Sequence, residues 1–354
     1  MKYITIKTLE EYLYWGENMV KISVLLATNR INKHVFPYIK KCIDGLDNLQ
    51  DDTFTSEFKD LIIGDTKHIS HFLEPTLRSL ELQKFKDFEV ILSHRYPEDA
   101  MKIVKRYKEY IDIKLIKEKH SIWHDLGEQY HTVANNKNTA FINSSGELIY
   151  HIDDLTFFNE NLLQEAWDLY KEGKYMTGRT VRCITYDKDK EDYINKIGPG
   201  KTEICKNGWI GQDKPLVNQM NHPEIPMATF WTCSASVSAD ELLEINGYDE
   251  LYDGSLTGID MDAGTRLSKI SKYKRVASNN YLYEIDDPTP KNMVRDDVMM
   301  RKIMRVNHIK ANSWKPNNIQ MKRYNRWHLH EKGILDDNWN KFMNVPMYNL
   351  KREC

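Results

Sequence analysis

Apolar runs and polar punctuation alternate along the first half of the chain. KISVLLAT (21–28) is a continuous β-branched run of the kind that forms a central strand covered on both faces. FLEPTLRSLELQKF (72–85) instead spaces Leu73, Leu77, Leu80 and Phe85 along one helical stripe, with Pro75 tolerable in the first turn. FEVILS (88–93) predicts a second buried strand, AMKIVKRYKEYI (100–111) a helix, and IDIKLI (111–116) a third strand. This alternation is the signature of a doubly wound, largely parallel sheet, an α/β fold class. A helix around 133–144, the strand ELIYHI (147–152) and the helix NENLLQEAWDLYKEG (159–173) follow, with Asn159 as N-cap and Gly173 as stop. Residues 186–229 are loop-rich. ADELLEING (239–247) predicts a short helix closed by Gly247, MDAGTRLSKIS (261–271) another, and VASNNYLYEI (276–285) a strand. Residues 31–70 are polar and irregular apart from the short strand candidate LIIGD, and have the texture of an insertion.

One strand ends oddly. ELIYHIDDLTF (147–157) drives Leu148, Ile149 and Ile152 toward a core and then sets two adjacent carboxylates, Asp153 and Asp154, at the exit. Isolated buried carboxylates are costly, so the pair must lie at a surface, be hydrogen-bonded, or hold a cation. Ligands of open α/β sheets bind beyond the carboxyl ends of the strands, where this pair sits.

Composition narrows the classes. The 354 residues are 41% hydrophobic and 29% charged with a formal net charge of −2, as in an ordinary globular protein with no global attraction to polyanions. No apolar run approaches the ~20 residues of a membrane helix. The first 20 residues carry acids and lack the apolar centre of a signal peptide, so the expected location is cytoplasmic. Five scattered cysteines, Cys42, Cys183, Cys205, Cys233 and Cys354, never fall in a CxxC spacing and read as reduced thiols.

Four segments then occur in a telling order: ISVLLATNR (22–30), LRSLELQKFKDFEVIL (77–92), NKNTAFINSSGELIYHIDDL (136–155) and SADELLEINGYDELYDGSLTGIDMDAGTRL (238–267). Across residues 20–285 the chain resembles the family 2 glycosyltransferases of the GT-A fold. The closest register is at Lys137-Asn138 and Gly146-Glu147 before the carboxylates, at Ile245–Glu250, and at Gly258–Asp262 followed by Arg266-Leu267. The resemblance implies a catalytic domain over 21–288, flanked by an N-terminal segment (1–20) and a helical, basic extension (289–354). It implies inverting transfer of a hexosyl or pentosyl group from a UDP- or GDP-linked donor to a hydroxyl on a glycan, lipid-linked or protein acceptor.

Such a transfer needs charge neutralisation at the leaving diphosphate, commonly by Mg²⁺ or Mn²⁺ on hard oxygen ligands, and a carboxylate to accept the acceptor's proton. The resemblance assigns Asp153 and Asp154 to the metal and diphosphate, although the usual last acid of the motif is Leu155 here. It assigns Asp260 as the base, with Ile259 where a glutamate is usual, and places Asp262 and Trp231 on the acceptor side, Asp262 with a structural part through Arg266. The resemblance also assigns Thr28, Arg30, Lys137 and Asn138 to the donor pocket. The acid expected after the second strand is missing; Ser93-His94-Arg95-Tyr96 stands there, with Arg95 either a phosphate contact or a solvated side chain. A late histidine, His308, His328 or His330, is a candidate to complete the metal site. Trp209 is a sugar-stacking candidate of the same standing as a core residue, and the second IDD at 285–287 reads as a turn.

The end of the chain admits rivals. Between Val298 and Lys332 nine Lys and Arg face one Glu, a local net charge of +8, with Trp314, Tyr324 and Trp327 interleaved. Such a segment fits a donor diphosphate, an anionic acceptor or nucleic acid, or is simply a solvated helical face. Two alternative readings therefore stand beside the first: a glycosyltransferase acting on modified bases in DNA, and a non-catalytic sugar-nucleotide or carbohydrate-binding module.

Overall fold

The structure is a computed structural model that describes residues 20–37, 69–121, 124, 132–183, 203–204, 209–211, 222–230, 232–250, 253 and 259–285. The strand candidate LIIGD, Trp231, Asp286 and Asp287, and everything from 286 onward, including His308, His328, His330 and the basic segment, lie outside them.

Four parallel strands form the first half of the sheet: β1 (Ile22–Thr28), β2 (Phe88–His94), β3 (Asp112–Lys117) and β4 (Leu148–Ile152), in spatial order β3-β2-β1-β4. Helices α1 (Glu74–Glu81), α2 (Pro97–Tyr107) and α3 (Val133–Ile142) make the connections. Beyond β4 the sheet continues through β10 (Ser234–Ser238), β6 (Lys174–Cys183), β11 (Lys274–Ile285) and β5 (Thr156–Phe158). Here β10 runs antiparallel to both neighbours while β6 and β11 are parallel. The short strands β7 (Glu203–Ile204), β8 (Trp209–Gly211) and β9 (Glu224–Ile225) extend the margins of the sheet.

Alternation along the strands sorts two cores. Val24, Leu26, Val90, Leu92, Tyr150 and Ile152 face α1, α2 and α4 (Leu162–Lys171), burying Leu77, Ile103, Val104, Leu163 and Trp167. Leu25, Ile91 and Ile149 face α3, α5 (Ala239–Glu244) and α6 (Ile259–Leu267), burying Phe141, Leu242, Ala263 and Leu267. Helices on both faces are what continuous apolar strands require.

Several expectations shift. The helix expected to start at Asn159 starts at Leu162. The Asn159 side chain instead accepts from the Asn161 amide at 3.0 Å, a local turn that competes with helix. The first turn of α4 is capped from the turn after α1, where Gln83 Oε1 accepts from the Leu163 amide at 3.0 Å. Strand β6 was not anticipated; its KYMTGRT stretch lacks a clean period of two. The expected stops at Gly173 (φ 78°) and Gly247 (φ 66°) adopt the left-handed conformation that glycine tolerates.

Gly146 precedes β4 in a tighter place. A Cβ there would meet the Ser23 backbone nitrogen at 2.4 Å. The residue that positions this turn is Glu89, fully buried in β2. Its carboxylate accepts from the hydroxyls of Ser23 and Ser145 at 2.6 Å and from Lys114 Nζ at 2.5 Å.

Candidate active site

Helix α3 carries an unusual load. Asn135, Asn136, Lys137, Asn138 and Thr139 are all buried, although buried polar side chains are tolerated only when hydrogen-bonded. The first four find partners on different segments, and the Thr139 hydroxyl donates to the Asn135 carbonyl within the helix at 2.7 Å. Asn135 Nδ2 donates to Glu118 Oε1 at 2.7 Å, Asn136 Nδ2 to the Thr28 carbonyl at 3.0 Å, and Lys137 Nζ to the Thr232 carbonyl at 3.1 Å. Asn138 is bound on both sides by Tyr248: its Nδ2 donates to the Tyr248 carbonyl at 2.8 Å and its Oδ1 accepts from the Tyr248 amide at 2.9 Å. Asn138, expected in the donor pocket, is therefore a brace that fixes the loop after α5.

The two adjacent acids part company. Asp154 is buried, and its two oxygens are taken by the Thr28 hydroxyl and the Arg30 guanidinium. Its carbonyl also accepts from Thr76 of α1 at 3.1 Å. Asp153 keeps 38% of its side chain exposed, with Oδ1 3.5 Å from Lys137 Nζ. Thr28, Arg30 and Asp154 thus form one unit at the carboxyl ends of β1 and β4. Arg95 lies at the end of β2, its amide donating to the Thr28 carbonyl at 3.1 Å and its guanidinium 5.5 Å from the Tyr96 ring. Neighbouring His94 is buried and its Nδ1 accepts from the Tyr96 amide at 2.9 Å, so Nε2 carries the proton in the neutral ring. Burial lowers its pKa to about 4, which keeps it uncharged.

Asp260 enters from the first turn of α6, where a helix N-terminus favours negative charge. Its Oδ1 accepts from the Thr232 hydroxyl at 2.5 Å. Burial raises its pKa; the Lys137 ammonium and the Thr232 hydrogen bond pull it partly back, and Asp153 adds to the rise. Lys137 therefore lies electrostatically between Asp153 and Asp260. Asp262, expected on the acceptor side, is buried and bound to Arg266, with Nε at 2.8 Å. Arg266 in turn donates to the carbonyls of Ile245 and Gly247, closing the end of α5, the structural part foreseen for this acid.

The segment that joins these groups escaped sequence reasoning. Thr232 and Cys233 precede β10, whose register sets Ser234 opposite Ile152. The ladder therefore brings them beside the exit of β4, where the Asp153 amide donates to the Cys233 carbonyl at 3.3 Å. Only the pairing of β10 with β4, made across 80 residues, reveals this.

A divalent ion is partly accommodated. Both oxygens of Asp154 are already engaged by Thr28 and Arg30, whereas the part-exposed carboxylate of Asp153 is a hard oxygen ligand open to solvent. Among the described residues no group of three or more His, Cys, Asp or Glu side chains is placed to hold a metal. An ion at Asp153 would rely on oxygens brought by a ligand.

No family model matches the chain, and no curated protein sequence does. Solved structures do. Staphylococcus aureus TarS 1–349 in complex with UDP-GlcNAc is 13% identical over 94% of this chain and 76% of its own, at a TM-score of 0.50. The same protein with UDP is 13% identical over 93% and 92%, at 0.46. GalNAc-T7 with UDP, GalNAc and Mn²⁺ is 8% identical over 95% of this chain and 58% of its own, at 0.47. These neighbours are glycosyltransferases of GT-A type, and the mixed α/β sheet described above is the GT-A fold.

Proposed function

We propose that the protein is an inverting glycosyltransferase that moves a sugar from a nucleotide-diphosphate donor, UDP-linked in the first instance, to an acceptor hydroxyl. The observation that carries this reading is the convergence of Asp153, Lys137, Thr232 and Asp260 at one end of the sheet. The donor diphosphate lies along the rim formed by Arg30, Arg95 and Lys137, whose fixed cations face the charge that develops as the leaving group departs. Asp153 would hold a divalent ion, Mn²⁺ or Mg²⁺, which when bound supplies the rest of that neutralisation. Asp260, raised in basicity by burial, takes the proton from the acceptor oxygen as it attacks the anomeric carbon. Inversion follows from a single displacement with one base on the acceptor side. The acceptor is a glycan, lipid-linked or protein hydroxyl, and the catalytic unit spans 21–288.

Calorimetric titration with UDP- and GDP-sugars in Mn²⁺, paired with turnover assays, tests the reading. Asp260→Asn should bind donor as the parent does and lose about 10²–10⁴ in kcat, the range of a general base. A variant that loses binding and turnover together removes Asp260 from the base role. A wild-type protein that binds but never transfers belongs to the non-catalytic class.

A further inference from the structure

One residue touches both halves of this site and was assigned to neither. Thr232 is 3% exposed and stands just before β10. Its hydroxyl donates to Asp260 Oδ1 at 2.5 Å, its carbonyl accepts from Lys137 Nζ at 3.1 Å, and its amide favours the charged form of the same carboxylate. The next residue, Cys233, accepts from the Asp153 amide through its carbonyl. Two consecutive residues thus bind the exit of β4, the middle of α3 and the start of α6.

We propose that Thr232 is a positioning residue of the transfer reaction: it orients the carboxylate of Asp260 and fixes its separation from Lys137 and Asp153. The inference rests on the glycosyltransferase reading and deepens it. A carboxylate on the first turn of a helix can rotate about two side-chain bonds, and a hydroxyl donor to Oδ1 selects one orientation. Because Lys137 binds the carbonyl of the same residue, the ammonium and the carboxylate cannot drift apart independently. A shift of about 1 Å in a reacting group costs on the order of 10² in rate, so this linkage has kinetic weight. The polar groups around Asp260 are Lys137 from α3, Asp153 from β4 and Tyr248 from the loop after α5, while Asp262 is turned toward Arg266. Beside them, Thr232 holds the carboxylate directly through its hydroxyl.

Thr232→Val removes the hydroxyl with its shape kept, and Thr232→Ser restores it. The expected result is a loss in kcat of about tenfold to a hundredfold in Thr232→Val, donor Kd within twofold of the parent by calorimetry, and recovery of most of kcat in Thr232→Ser. Parent-like kcat in Thr232→Val overturns the inference and leaves the glycosyltransferase reading standing. Parallel loss of kcat and donor affinity in both variants, with a lowered Tm, also overturns it, because a purely structural threonine behaves that way. A wild-type chain that transfers no sugar from any nucleotide donor overturns the reading beneath it.

Discussion

Two neighbouring aspartates illustrate how little an amino-acid letter says about its task. Asp154 is walled in by Thr28, Arg30 and Thr76, while Asp153 faces outward beside Lys137. Removing a hydrogen-bonded buried carboxylate leaves its donors unsatisfied, so Asp154→Ala should cost about 1–3 kcal/mol of stability. Asp153→Ala, at a part-exposed site, should stay within about 0.5 kcal/mol of the parent yet abolish metal-dependent donor binding. Urea denaturation and donor titration of both variants check this; equal stability losses would refute the division of labour. Cys233 offers a chemical report on the same spot, being a half-buried cysteine outside any disulfide whose carbonyl accepts from the Asp153 amide. Saturating donor should slow its alkylation, read by peptide mass mapping, and an unchanged rate would move the donor elsewhere.

Elements carry the pH response. Glu118, Glu250 and Asp253 are buried around Lys119 and the start of α3, where Asp253 Oδ1 accepts from the Ala134 amide at 2.8 Å and Lys119 Nζ reaches Glu250 at 2.7 Å. Burial, then Glu250 and Glu118, push the Asp253 carboxyl well above its ordinary value, and burial raises Glu250 despite Lys119. Between the ordinary and the raised values the folded state holds more protons than the unfolded chain, so this cluster loses stability as pH rises through that window. Glu89 has the opposite sign. Burial pushes it up, but hydrogen bonds from Lys114, Ser145 and Ser23 outweigh that and hold it low, so its contribution is lost as pH falls. Asp253→Asn keeps an acceptor for the Ala134 amide and removes the repulsion. The slope of Tm against pH on the alkaline side of the ordinary carboxylate range should flatten; an unchanged slope would place the strain elsewhere. Gly146→Ala, meeting the Ser23 backbone, should cost about 1–3 kcal/mol by overpacking.

Most elements that read clearly in the sequence are those whose apolar period is unbroken, β1, β2, α2 and β4 among them. What escaped is set by partners far along the chain. The buried polar face of α3 has no amphipathic stripe, and Thr232 looks like any threonine until β10 pairs with β4. Asp153 was legible as a candidate because it breaks an apolar run at the end of a strand, and Asp260 only through the resemblance of its segment to a family motif. Their linkage through Lys137 and Thr232 was not legible, since it needs four segments brought together.

At the scale of the whole molecule, charge distribution separates the remaining acceptor classes. The chain carries a formal net charge of −2 although residues 298–332 alone contribute +8, so the remainder is acidic by 10 charges. A polyanionic acceptor engaged by that segment would release condensed counterions, and log affinity would fall against log salt with a slope of about −0.9 per neutralised phosphate. Engaging even half of those charges would then weaken binding on the order of a hundredfold between about 50 and 200 mM salt. A neutral glycan hydroxyl has no such counterions to release. The proposed function therefore predicts that kcat/KM for the acceptor varies by less than about threefold over that range, once donor is saturating and ionic effects on the diphosphate are removed. Steady-state rates against acceptor at four salt concentrations decide the matter. A steep decline, with duplex DNA competing for the acceptor site, would transfer the reaction to a nucleic-acid hydroxyl while leaving Asp153, Thr232 and Asp260 in their places.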